Sequence, residues 1–326
     1  MENVIKITNN INKKSNPKIS VIIPVYLSQD NIQELVKRVK AEIMVISDNF
    51  DIVLIDDGSP DDSWEKIVIE ADGDKRVKGI KLSRNFGQHH AIYAGLKSID
   101  ADYYIIMDCD LQHNPKFFKT LYHEVKKGND IVYCRVKKRK HNILKNFASW
   151  LFYKVYNAIN KDILFSRDSF LINYTMISKR AANQYLKVGD FKRFHLQILR
   201  YIGFNSSVID IDHYNRYKGK SSYTFLKLLN YSIDEFIYNS DTFLKIFIYM
   251  GFITSSVCSI FIIYTLYKYL VMDLVPGWTS IILTISFSTG VILTCIGVTG
   301  LYVGKIFEQV KNRPTFIIAD RKNCEE

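Results

Sequence analysis

Asp51-Ile52-Val53-Leu54-Ile55-Asp56-Asp57-Gly58-Ser59-Pro60-Asp61-Asp62 is the stretch on which the fold turns. Its first half is an apolar run of strand length, and the run stops at Asp56, so a carboxylate arrives at the strand's carboxyl end. Ser59-Pro60-Asp61-Asp62 then reads as a helix start: Ser59 as N-cap, Pro60 at the first helical position and an acidic residue at the third. That helix is expected to run to about Ala71.

The same alternation continues on both sides. Upstream, Ile19 to Val25 is an apolar strand and a periodic helix follows near Asn31 to Ile46. Downstream come a strand at Val77 to Leu82, a helix from His90 to Ile99, and a strand at Tyr103 to Met107 that delivers Asp108. Asp130 to Arg135 reads as one more strand. Leu144, Phe147, Leu151, Val155 and Ile159 recur at helical spacing, with Lys145 and Lys154 on the other side. That helix suits packing on the core and lying in a membrane interface equally well. Strands separated by helices imply an α/β class with a mostly parallel sheet. Ligands of such sheets bind outside the carboxyl ends of the strands, where Asp56, Ser83 and Asp108 all fall.

Asp56-Asp57-Gly58-Ser59 and Asp108-Cys109-Asp110-Leu111-Gln112 thus bring four carboxylates to one sheet edge. Like charges crowded together need compensation, and a divalent cation with hard oxygen ligands supplies it. Mg2+ or Mn2+, holding a substrate diphosphate, is the expected cofactor. The plainer alternative, an Asp capping a turn or helix, suits Asp57 better than Asp108 or Asp110.

Of the 326 residues 48% are hydrophobic, and they concentrate near the C-terminus. No charge occurs from Ile246 to Tyr267 or from Leu274 to Gly304, and each run exceeds the roughly 20 residues a spanning helix needs. Two transmembrane helices are expected. Lys305, Lys311 and Arg313 follow the second, while the connection holding Lys268 and Asp273 is balanced, so both termini should be cytoplasmic. The polar, Asn-rich first residues predict no cleavable leader. Tyr223 to Tyr238 leads into the first span and reads as an interfacial helix. The five cysteines show no paired spacing, which disfavours disulfides and a zinc site.

The net charge is +11, and much of it gathers between Lys126 and Lys145, including Arg135, Lys137, Lys138, Arg139 and Lys140. Beside membrane spans, an anionic leaflet or lipid phosphate is the expected partner rather than nucleic acid. A solvated basic loop is the bland alternative.

Val21-Ile22-Ile23-Pro24-Val25-Tyr26, Asp56-Asp57-Gly58-Ser59, Leu82-Ser83-Arg84-Asn85-Phe86-Gly87, Ala94-Gly95-Leu96, Asp108 through His113, and Arg216 through Tyr223 form an ordered series. With Gly304-Lys305-Ile306-Phe307 and Lys311-Asn312-Arg313-Pro314, this series resembles the family 2 glycosyltransferases of the GT-A (Rossmann-like) fold. Within them it is similar to the branch of dolichyl-phosphate mannose synthase and bactoprenol glucosyltransferase. The resemblance implies that Pro24, Tyr26, Asp56 and Asp57 border the nucleotide, with Ser83, Arg84 and Asn85 nearby. It implies that Asp108 and Asp110 hold metal and diphosphate, that Gln112 faces the donor, and that Arg135, Arg139, Arg216 and Lys220 meet the acceptor phosphate. The chain departs from the family pattern at Leu27-Ser28, where Asn-Glu is usual, and at His89 and His90. It departs again at Leu171, where an arginine is usual, leaving Arg167 or Arg193 to replace it.

The resulting expectation is a disordered leader at 1–16, a GT-A catalytic domain at 17–222, a juxtamembrane helix at 223–242, two membrane helices within 243–304 and a cytoplasmic tail at 305–326. The implied reaction is inverting transfer of a hexose from a UDP- or GDP-sugar to a polyprenyl phosphate such as undecaprenyl phosphate, by an integral membrane homo-oligomer. The alternatives are a membrane glycosyltransferase using a hydroxyl acceptor, or an inactive nucleotide-sugar-binding scaffold. The first lacks its relatives' Gln-x-x-Arg-Trp motif here, and intact Asp108 and Asp110 argue against the second.

Overall fold

The structure, a computed structural model, describes residues 16–136, 171–191, 193–211, 242–271 and 277–324. Its centre is an eight-stranded mixed sheet. The first strands and helices are β1 (Ile19–Val25), α1 (Ile32–Ile43), β2 (Phe50–Asp56), α2 (Ser63–Gly73), β3 (Val77–Leu82), α3 (Gln88–Ser98) and β4 (Tyr103–Ile106). Then come α4 (Phe118–Lys126), β5 (Ile131–Val136), β6 (Leu171–Ser178), α5 (Lys179–Lys187), α6 (His195–Tyr201) and β7 (Ser206–Ile211). Two long helices follow, α7 (Thr242–Val271) and α8 (Trp278–Val310), and β8 (Ile318–Lys322) ends the series.

The strand order is β7-β5-β6-β4-β1-β2-β3-β8. β1 pairs in parallel with β2 and β4, and β2 with β3, as strand–helix alternation requires. The expectation of a mostly parallel sheet is corrected at two places. β6 runs antiparallel between β4 and β5, and β8 runs antiparallel along β3. Ile318–Lys322, assigned from sequence to a tail, is therefore an edge strand of the sheet.

The central strands are apolar without alternation because both faces are covered. Val21, Ile23, Ile52, Leu54 and Ile105 face α1, α2 and α4, where Leu35, Val39, Ile67, Phe118 and Leu121 complete one core. Ile22, Val53, Ile55, Ile80 and Ile106 face the opposite way, onto Ala91, Ile92, Ala181, Tyr185 and Ile198 of α3, α5 and α6. Each fully buried aliphatic side chain contributes about 1.5–3 kcal/mol. Gly95 lets α3 sit close, since a Cβ there would lie 2.7 Å from Ile22 and 2.8 Å from Ile55.

The helix after β2 starts at Ser63 with Asp62 as N-cap, not at Ser59. Ser59 is taken up by the sheet instead: its N–H donates to Asp56 Oδ1 at 3.1 Å, and its hydroxyl accepts the Leu27 N–H at 3.2 Å.

The described residues fall into two compact units, the sheet with its flanking helices and residues 313–324, and the pair α7 with α8. Phe287–Val310, within α8, is long and apolar enough to cross a membrane. Its side chains are outward facing, with Leu293, Ile296 and Ile306 about as exposed as surface residues, the reverse of a soluble core helix. α7 carries the shorter apolar segment Gly251–Phe261.

Candidate active site

Four strand ends meet at one edge of the sheet. Pairing of Val25 with Asp56, and of Asp56 with Lys81, aligns the carboxyl ends of β1, β2 and β3, and Met107 donates its N–H to Ile22 O to align β4.

At the end of β2, Asp56 is fully buried. Burial raises its pKa, against the lowering effect of the Ser59 hydrogen bonds. Its Oδ2 is buried without a hydrogen-bond partner, an acceptor waiting for a donor. Asp57 is also buried, but its carboxylate is spent on backbone: Oδ1 accepts Phe86 N–H at 2.7 Å and Oδ2 accepts Gly87 N–H at 2.8 Å. Burial pushes it up to about 6, opposed by those two bonds. Gly58 has φ 64°, and a Cβ there would stand 2.4 Å from the Arg84 carbonyl carbon. Only glycine allows this turn to rest against the Ser83–Gly87 loop.

In that loop Ser83, Arg84 and Asn85 are exposed. Arg84 lies over the Phe86 ring at 4.1 Å and donates to Asn85 O at 3.2 Å. Beyond β1, Pro24 is buried and Tyr26 is 40% exposed, its ring available to a ligand. The departure at Leu27-Ser28 has a structural role: Ser28 receives no solvent to speak of, donates to Tyr26 O at 3.0 Å and lies 3.1 Å from Cys109 Sγ.

At the end of β4, Asp108 Oδ1 accepts a hydrogen bond from Gln88 Nε2. The Asp108 N–H donates to His113 Nδ1 at 3.3 Å, and the buried His113 ring stacks on Tyr174 at 5.2 Å. Leu111 takes a left-handed φ of 60°, and Gln112 N–H donates to Asp110 Oδ1 at 3.1 Å. Gln88 and His113 were missed as site residues, although both flank quoted motifs: Gln88 directly follows Gly87, and His113 closes the Asp108 series.

Among the described residues no group of three or more His, Cys, Asp or Glu side chains forms a metal cage. Asp108 and Asp110 offer oxygen donors only, since Cys109 between them turns to Ser28. Such a pair fits Mg2+ or Mn2+, which keep waters and share carboxylates with substrate phosphates.

A second cluster borders α3. His195 N–H donates to His89 Nδ1 at 3.3 Å, and His195 Nε2 lies 3.1 Å from Thr175 Oγ1. Burial holds His89 and His90 down to about 4 and His195 to about 3, so all three are neutral at pH 7. Arg193 is buried here, donating to Val188 O at 2.8 Å and Tyr185 O at 3.0 Å and stacking 3.7 Å from the Tyr93 ring. Of the two candidates to replace the arginine absent at Leu171, Arg193 is thereby committed to the core, and Arg167 lies outside the described residues. Arg135 pairs with Asp210 at 2.6 Å across β5 and β7. Arg139, Arg216 and Lys220 lie outside the described residues.

The Glycosyl transferase family 2 model matches residues 20–186. The putative glycosyltransferase CsbB of Bacillus subtilis (strain 168) is 32% identical, over 93% of this chain and 91% of its own. A bactoprenol glucosyl transferase of Shigella phage SfII is 28% identical, over 92% and 97%. Among solved structures, a Mycobacterium tuberculosis glucosyl-3-phosphoglycerate synthase with Mn2+, UDP and glucosyl-3-phosphoglycerate superposes with a TM-score of 0.48 at 13% identity, over 67% of this chain and 76% of that one. The matched family segment runs from β1 through α5 and so contains every strand end that builds this edge; the chain belongs to the family 2 glycosyltransferases.

Proposed function

We propose that this glycosyltransferase moves a hexose from a nucleoside diphosphate sugar to a polyprenyl phosphate at the cytoplasmic face of a membrane, with inversion at the anomeric carbon. The observation that carries it is the meeting of Asp56, Asp108 and Asp110 at one sheet edge, in a chain matched nearly end to end by a bactoprenol glucosyl transferase. The unpartnered Asp56 Oδ2 suits an N–H donor of the base, and Tyr26 and the Ser83–Asn85 loop border the same nucleotide. Asp108 and Asp110 would hold Mg2+ or Mn2+, which when bound neutralises charge developing on the departing diphosphate. The acceptor's phosphate oxygen forms the new bond to the anomeric carbon as the bond to the diphosphate breaks. Arg135, Arg139, Arg216 and Lys220 are assigned to that acceptor phosphate, Arg135 having first to be shared with Asp210.

β8 supports the two-helix hairpin. It follows α8 in sequence yet pairs with β3, so strands from before and after the helices belong to one folded sheet. A folded sheet lies on one side of a bilayer, and the chain between β7 and β8 then crosses it an even number of times. Phe287–Val310 of α8 is suited to one span, and α7 is assigned the other. The basic residues Lys305, Lys311 and Arg313 after α8 support a cytoplasmic assignment for that side. Further copies of the chain in a homo-oligomer complete the reading.

The test is a screen of purified protein against UDP- and GDP-hexoses with undecaprenyl phosphate in lipid nanodiscs. A hexosyl-phospholipid that forms only with divalent cation is the expected product. Transfer to hydroxyl acceptors alone, or nucleotide binding without transfer, would replace this reading.

A further inference from the structure

Seven residues after α8, the chain returns to the sheet edge beside the Ser83–Gly87 loop, and the contacts it makes there are specific. Gly79 to Leu82 of β3 register with Lys322 to Ile318 of β8, with an irregularity between Lys81 and Leu82. Just past the shift, Ser83 donates its N–H to Ile317 O at 2.9 Å. That bond fixes the first residue of the loop whose far end, Phe86 and Gly87, is gripped by Asp57.

The segment is anchored at both ends. Phe316 packs edge-on against Tyr93 of α3 at 5.8 Å, with Lys97 Nζ 6.0 Å from its ring. At the other end Asn323 has a left-handed φ of 55°, and its Nδ2 donates to Ala71 O at 2.6 Å and Val77 O at 3.0 Å. A surface tail with no task beyond solubility has no need to cap α2, line β3 and touch α3 in eight residues. Without it β3 is the sheet edge, and the Ser83 N–H has only water to hold it.

We propose that Phe316–Asn323 is a positioning element for the donor site: it fixes the end of β3 and thereby sets the Ser83–Gly87 loop for the nucleotide. This deepens the proposed function and rests on its assignment of Ser83 to Asn85 to the donor side. Phe316 and Asn323 are positioning residues, acting through Ser83 rather than by touching substrate.

The test uses full-length protein in nanodiscs carrying Phe316→Ala, Asn323→Gly or both. Asn323→Gly keeps a residue at ease with the left-handed backbone while deleting the two side-chain bonds, so it remains informative if the double variant fails to fold. Nucleotide affinity is measured by calorimetry with UDP and GDP, and KM is measured separately for donor and acceptor. The expected result is a donor KM raised about tenfold in the double variant and roughly threefold in Asn323→Gly, with the acceptor KM unchanged, on the scale of one to two lost hydrogen bonds. Equal loss for donor and acceptor, or unaltered nucleotide affinity in folded variants, would overturn the positioning role. Failure of the wild type to bind either nucleotide would instead remove the donor assignment on which it rests.

Discussion

Asp57 and Phe86, 29 positions apart in the chain, are joined by a 2.7 Å hydrogen bond from the Phe86 N–H to the buried carboxylate. With the adjacent Gly87 bond at 2.8 Å, this ties the Ser83–Gly87 loop to the end of β2. Asp57→Asn replaces one acceptor by an amide N–H2 facing another N–H. Leaving a buried donor unsatisfied costs about 1–3 kcal/mol. Donor kcat/KM should therefore fall roughly ten- to a hundredfold, while the acceptor KM holds. Steady-state kinetics with varied donor decide it, and an unaffected donor kcat/KM would mean that the loop does not depend on this clamp.

Much of this edge was legible from sequence. β1, β2, β3 and β5 fall within a residue or so of the expected runs, because strands covered on both faces need continuous apolar sequence. The start of α2 was misread because Ser59-Pro60-Asp61-Asp62 satisfies a local capping pattern, while the sheet competes for Ser59 through Asp56 and Leu27. β8 was invisible for a different reason. Ile-Ala-Asp-Arg-Lys has no strand-like apolar pattern, and its partner β3 lies more than two hundred residues away, so only tertiary pairing reveals it. The inward turn of Arg193 is likewise set by Tyr93 and two backbone carbonyls that no local motif announces.

Asp110→Asn should abolish nearly all turnover while leaving the thermal unfolding midpoint within a few degrees of wild type. The carboxylate lies at the sheet edge, bonded to the Gln112 N–H rather than packed in a core. Excess chelator should act likewise, with recovery on adding Mg2+ or Mn2+. Full activity of the variant, or of wild type in chelator, would remove the metal from the proposed function.

Stability should respond to pH through His195. Its folded pKa, about 3, lies below the ordinary 6.5 because the ring is fully buried, with His89 and Arg193 adding repulsion. Between those two values the unfolded chain binds a proton that the folded chain refuses. Stability from this group is therefore complete above pH 6.5 and declines as pH falls, by about 1.4 kcal/mol per pH unit. His195→Gln, lacking that titration, should be less stable than wild type at pH 7.5, and the gap should narrow by pH 4.5. Unfolding midpoints in detergent across that range give the answer, and a constant gap would mean that His195 is not held neutral.

Arg216→Ala and Lys220→Ala should raise the acceptor KM while leaving nucleotide affinity unchanged, since both residues are assigned to the lipid phosphate in the segment leading to α7. Guanidinium suits bidentate phosphate contact, so Arg216→Lys should recover only part of the loss. A fall in donor affinity with an unchanged acceptor KM would reverse the assignment.

Asp190 tests the chemistry of the acceptor. Relatives that use hydroxyl acceptors need a base to take the hydroxyl proton, and in this chain the carboxylate placed ahead of α6 is Asp190. Asp190 does not cap that helix: α6 begins at His195 with Phe194 as its N-cap and no side-chain cap bond, and Asp190 is exposed. Neither Arg193 nor His195 takes over as a surface anion site, because both are buried. A phosphate monoester acceptor makes a base unnecessary: with a second pKa of about 6, by analogy with phosphorylated side chains, it is largely dianionic at pH 7 and has no proton to lose. Asp190→Asn should therefore keep most of the activity, and the acidic limb of the rate profile should follow titration of the lipid phosphate. A loss of roughly a thousandfold in folded Asp190→Asn with donor binding intact would be the mark of a missing general base. That result would replace the lipid phosphate by a hydroxyl acceptor.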